Sequence, residues 1–196
     1  MTPEDAQKQA RILQVGDAYD CRQFAKKVPG ADIAALQKRV LDVGEGHDCI
    51  DFALNIPGAD IEALQKRVLE IGNGYVCLHF AQDIPGADRK ALEQRVLKVG
   101  KGDVCYRFAR DIPGADIAAL QKRVLATGKS ADCLRFARYI PGADAERLRK
   151  RGLKLRVKEQ AQNALGILFF LFFLLGSVLI FGTVIETVVL VLKRLF

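Results

Sequence analysis

Apolar positions in the first three quarters of the chain recur with two interlocked periods. Within short stretches the spacing is helical. Cys21, Phe24, Ala25 and Val28 fall at i, i+3, i+4 and i+7, one face of a 3.6-residue period. Ile33, Leu36, Val40 and Val43 mark a second apolar face shortly afterwards. Between the two, Pro29-Gly30 ends the first helix, and Asp32 stands where a side chain can accept amide hydrogen bonds at the start of the next. Gly44 closes the second helix as a predicted left-handed C-cap. The predicted unit is helix A, a tight Pro-Gly turn, helix B and a Gly-rich turn.

The longer period is 28 residues. Pro-Gly-Ala-Asp recurs at Pro29, Pro57, Pro85, Pro113 and Pro141, with Cys21, Cys49, Cys77, Cys105 and Cys133 in the same register. Phe24, Phe52, Phe80, Phe108 and Phe136 form a further column. Helices of about 10 residues are marginal alone, because nucleation is costly and few hydrogen bonds follow it. Stacking on neighbours supplies what each lacks. The predicted fold class is therefore all-α, a right-handed-type α-solenoid of five 28-residue two-helix repeats followed by one C-terminal transmembrane helix.

The divisions follow from the pattern. Residues 1–15 read as a capping half-repeat, with Thr2 as N-cap, Pro3 at the first helical position and polar Lys8 where later copies carry Leu36 or Leu64. Residues 16–155 hold the five repeats, 156–164 a short basic connector, 165–192 the transmembrane helix and 193–196 a tail. The span is predicted from the 21 uncharged residues between Leu165 and Ile185, enough to cross a hydrocarbon core. Glu186 marks the far interface if the span ends there, and lies inside the apolar segment if the helix runs to Leu192.

Charge changes the picture only near the end of the chain. The formal net charge is +7, yet through Ala145 there are 21 Lys and Arg against 20 Asp and Glu. The excess lies in a collar of Arg147, Arg149, Lys150, Arg151, Lys154, Arg156 and Lys158. That distribution argues against a surface tracking nucleic acid. Together with the absence of an apolar leader after MTPEDAQKQA, it predicts a single-pass, tail-anchored protein with its repeats in the cytoplasm. The collar would face the bilayer and could meet anionic headgroups.

Candidate chemistry is sparse. The cysteines are single and a repeat apart, about 9–10 Å in stacked helices, too far for a disulfide or a shared metal. They read as core packing. No catalytic set recurs, His47 and His79 fall in different columns, and the glycines form no phosphate loop. The chain is expected to be no enzyme and to hold no cofactor or metal.

Two surfaces remain. Arg39, Arg67, Arg95 and Arg123 form a basic ladder late in helix B, read either as a complement to helix C-termini with salt bridges to acids such as Asp20 or Asp111, or as a strip for anionic partners. Helix A carries columns that vary between units. Arg22 gives way to Ile50, Leu78, Tyr106 and Leu134, and Gln23 to Asp51, His79, Arg107 and Arg135. An exposed row of Ile, Leu, Tyr and Leu would be costly unless covered. The expected function is therefore a membrane-anchored scaffold or adaptor whose protein partner docks on helix A at Ile50, Leu78, Tyr106, Leu134, Arg107 and His79. The alternative is a subunit of an oligomeric membrane assembly or small channel-like effector, joined through its transmembrane helix.

Overall fold

The computed structural model describes residues 1–167 and 170. The chain divides into two compact units, Met1–Gly152 and Leu153–Phe196. In the first, α1 (Pro3–Val15) precedes α2 (Ala18–Lys27) and α3 (Ile33–Val43), then α4 (Gly46–Asn55) and α5 (Ile61–Ile71). The series continues with α6 (Gly74–Asp83), α7 (Arg89–Val99), α8 (Gly102–Asp111), α9 (Ile117–Thr127) and α10 (Ser130–Tyr139). Residues 145–167 are helical as well. The even-numbered helices are helix A of each repeat, and the odd-numbered ones from α3 onward are helix B.

Local chemistry places many of these boundaries. Asp32, Asp60, Asp88 and Asp116 each accept the backbone N–H three residues on, at 2.9–3.0 Å, and so start helices B. Thr2 caps α1 in the same way, accepting from the Asp5 N–H at 3.1 Å while Pro3 follows it. Between helices A and B, Val28-Pro29-Gly30-Ala31 closes a type II turn. The Ala31 N–H donates to the Val28 carbonyl at 3.2 Å, and Gly30 sits at φ +78°. Gly58, Gly86, Gly114 and Gly142 repeat that dihedral.

The C-cap glycines differ from expectation. Gly44, at φ −82° and ψ 156°, is extended, and among these caps only Gly72 is left-handed. Glycine is required at Gly44 by crowding, since a Cβ would stand 2.5 Å from the Val40 carbonyl oxygen.

Packing is repeat-like and all-α. The principal contacts join each helix to the next and to the next but one. The five cysteines, Leu36 with its equivalents through Leu148, Val40 with its equivalents through Val124, and Phe52 through Phe136 have no exposed surface. Each such aliphatic or aromatic side chain contributes about 1.5–3 kcal/mol by leaving water. Helices A lie closer to one another than helices B do. Gly46, at the first position of α4, permits part of that approach, because a Cβ there would meet Val76 of α6 at 2.6 Å.

The membrane reading is corrected here. Among the described residues no helix is long and apolar enough to cross a membrane. The physical reason is that residues 145–167 take their helical length from the charged collar, Glu146 through Glu159, and hold only the first residues of the apolar run. Most of the predicted 165–192 span, with Glu186, lies outside the described residues. The transmembrane helix, the tail-anchored single-pass localisation, the lipid partner and the homo-oligomer through spans are all withdrawn with it.

Candidate binding groove

The predicted docking surface on helix A does not have the exposure it required. Leu78 is 1 % exposed, Ile50 6 % and Tyr106 7 %, and Leu134 is half-buried. The reason is the close A-to-A packing, which draws this column between neighbours instead of leaving it at the rim. Arg107 is exposed and His79 half-buried. The partner surface expected on helix A is therefore corrected along with the membrane anchor.

Several other side chains of helices A pair between units. Arg22 meets Asp51 in an ion pair, Tyr75 donates to Asp103, and Gln82 donates to Asp111 at 3.1 Å. His47 and His79 also come together, with ring centroids 6.5 Å apart. Sequence columns separated them, but their spacing of one repeat plus one helical turn brings them side by side. Among the described residues no group of three or more His, Cys, Asp or Glu side chains could hold a metal ion.

The arginine ladder is turned inward. Arg39 Nε donates to the Gly16 carbonyl at 3.0 Å, and Arg123 Nε to Gly100 at 3.1 Å, with a second bond from Nη2 to Lys98 at 2.9 Å. These carbonyls close the preceding odd-numbered helix, so the guanidinium caps its negative end. The Nε atoms of Arg67, Arg95 and Arg151 are buried at equivalent positions without a hydrogen bond. Arg95 lies against Gly72, the left-handed cap. Neither Asp20 nor Asp111 pairs with the ladder among the described residues; Asp111 is held by Arg110 at 2.6 Å.

Each cysteine is buried. Burial pushes Cys21, Cys49 and Cys77 up to about 11 and Cys105 to about 12, although Arg39, Arg67, Arg95 and Arg123 respectively pull the other way. Desolvation outweighs the nearby charge, which leaves these thiols protonated and unreactive at neutral pH.

The open row of helices B carries what the sequence reading passed over. Gln37 reaches the next unit twice, donating from Nε2 to the Asp60 carbonyl at 2.9 Å and accepting its N–H at 2.8 Å. Gln65 does the same to Asp88 at 3.4 and 2.8 Å. Gln9, Glu93 and Gln121 accept the N–H of Asp32, Asp116 and Asp144 at 3.0, 2.7 and 2.7 Å. A five-fold clamp thus joins residues 23 apart. Its sequence signal was present, since Gln9, Gln37, Gln65 and Gln121 keep both the period and the residue type.

Above these clamps, clefts open along the row. One between α3 and α5 has a volume of about 230 Å³, one between α5 and α7 about 810 Å³, and one between α7 and the turn that follows α8 about 580 Å³. A fourth, of about 560 Å³, adjoins α9 and is lined by Gln121, Lys122, Leu125 and Arg147. Half-buried Leu41, Leu69, Leu97 and Leu125 wall them at one-repeat intervals. Exposed Lys38, Lys66 and Lys122 stand beside these leucines, with no salt bridge among the described residues.

Comparison with family models, curated proteins and solved structures finds no match. The groove must therefore be read from its own chemistry. Of the collar, Arg147 lines the fourth cleft, Arg149 and Lys150 are exposed and Arg151 is half-buried. Lys154, Arg156 and Lys158, in the second unit, are exposed.

Proposed function

We propose that the chain is a non-catalytic binding module whose helix B groove holds an extended polypeptide bearing acidic side chains. The observation that carries this reading is the row of open clefts, each with the same leucine wall and with an exposed lysine, Lys38, Lys66, Lys90 or Lys122, in its lining. A site repeated at a fixed interval suits a ligand that itself repeats, whereas a reaction centre needs one asymmetric constellation.

Charge selects the partner. The cap aspartates of the groove turn their carboxylates onto their own helix N-termini, which leaves Lys38, Lys66, Lys90, Lys122 and Arg147 as the larger set of free charges. Glu62 opposes them in one cleft and Glu93 in another. Packed helices lie about 8–10 Å apart. An extended strand rises about 3.3 Å per residue, so about every third residue of a bound peptide would pass a lysine.

The test is fluorescence anisotropy of the full chain with a labelled peptide carrying Glu at every third position between apolar residues. A scrambled peptide of the same composition and a single-stranded oligonucleotide serve as comparisons. Binding should favour the periodic peptide, weaken with salt, and fall several-fold in Lys66→Glu and Lys122→Glu while Arg107→Glu leaves it unchanged. Equal binding of the scrambled peptide, or stronger binding of the oligonucleotide, rejects the proposal.

A further inference from the structure

Of the five inter-unit clamps, four use glutamine and one uses glutamate. Gln37 and Gln65 show what the position does best: the amide accepts from a backbone N–H and donates to the carbonyl of the same aspartate. Glu93, 28 residues after Gln65, accepts the Asp116 N–H at 2.7 Å. As a carboxylate it has no hydrogen for the second bond, and its other oxygen is another acceptor. Once protonated, the acid has one donor and one acceptor and matches the amide in both roles.

We propose that Glu93 makes the joint between the third and fourth repeats proton-responsive, tighter when its carboxyl is protonated and looser when it is ionised. The surroundings favour the neutral form. Glu93 is half-buried in the cleft between α7 and the turn that follows α8. Charged groups there are few. On its own helix stand Arg89, whose Nε donates instead to the Ala81 carbonyl at 3.2 Å, and exposed Lys90. From the start of α9 comes Asp116, whose carboxylate caps Ala119. Helix α8 and the turn after it contribute Phe108 and Ile112 to Ala115, none of them charged. Glu62 and Lys66 of α5 line the neighbouring cleft.

The carboxyl of Glu93 is accordingly held above its ordinary range, by burial first and by the charge of Asp116, against the lowering effect of the Asp116 N–H. The sign follows. An acid with a raised folded-state pKa adds stability that is complete below its unfolded value and is lost as pH rises through the folded value. The joint therefore loosens on going from mildly acid to neutral solution. This inference concerns the fold and stands independently of any ligand in the groove.

The experiment compares thermal unfolding of the full chain, Glu93→Gln and Gln65→Glu between pH 4 and pH 8, with amide exchange at Asp116 and Asp88 read alongside. Glu93→Gln should melt about 2–4 °C higher at pH 7.5, with the gap closing towards pH 4. Gln65→Glu should install the same dependence at the preceding joint, and protection of the Asp116 amide relative to Asp88 should fall with rising pH in the parent chain only. A gap in melting temperature that is the same at both pH values, or Asp116 protection that does not change with pH relative to Asp88, overturns the proposal.

Discussion

The two helix rows of one repeat obey the same periodicity and yet end in opposite situations. Helices A approach closely, and even a variable column such as Ile50, Leu78 and Tyr106 is drawn inside. Helices B stand apart, are joined by side-chain clamps to backbone, and leave clefts between them. Variability along a helix is therefore no measure of its exposure in a stack. A column can vary because its neighbour in the next unit varies with it. A column can be constant because it bonds to backbone, which is the same in every unit.

The sharpest way to break this comparison is Tyr106→Ala. If row A is core, the substitution should cost about 3 kcal/mol in urea unfolding, as large-to-small changes at buried aromatics do. A change near zero would return this column to the surface. Next comes Gln65→Ala, which removes both bonds to Asp88 and leaves its N–H without the clamp. A loss of about 1–3 kcal/mol is expected by the same measurement, with the Asp88 amide losing exchange protection.

Alkaline solution should distinguish the rows as well. Cys21, Cys49, Cys77 and Cys105 in row A have folded values of about 11 or 12 against an ordinary 9.0, so their contribution is complete below pH 9 and is lost as pH rises through 11 to 12. Melting temperature should decline over that window, less steeply in Cys77→Ala, and thiol reagents should label only unfolded protein at pH 7. Rapid labelling of the folded chain would contradict buried thiols. Smallest of all is Lys66→Ala on the rim of row B, expected to move stability by no more than about 0.5 kcal/mol, so that any larger shift would reveal a partner for Lys66 within the fold.

Much of the fold was legible because punctuation and core columns are chemical rules applied locally. Pro29-Gly30 and Asp32 dictate a turn and a cap whatever surrounds them, and the Cys, Phe and Leu columns leave water in any stack. What was not legible depends on distances between rows. Only the glycines that open α4, α6 and α8 hint that these helices approach more closely than α3, α5 and α7, and that difference decides whether Tyr106 is a surface anchor or core. Gly44 was misread for a related reason, since its lack of a side chain answers crowding against Val40, not a left-handed backbone. The groove was missed because Gln37 and Lys38 are adjacent polar residues that the sequence does not tell apart, although one is bonded to the next repeat and the other is exposed. The membrane expectation rested on an apolar run that lies largely outside the described residues, and no described helix supports it.

The neighbour-only pattern of contacts has a mechanical consequence. In Met1–Gly152 no principal contact ties an early helix to a distant one, and every clamp spans the same 23 residues. Tension applied across this unit finds no long-range lock that must fail first. A repeat can leave the end of the stack while the rest keeps its interfaces. Each 28-residue release yields about 100 Å of extended chain. Held between two attachment points, the stack would lengthen in steps of nearly equal size, like a chain of weak, identical links that re-form singly when the load is removed.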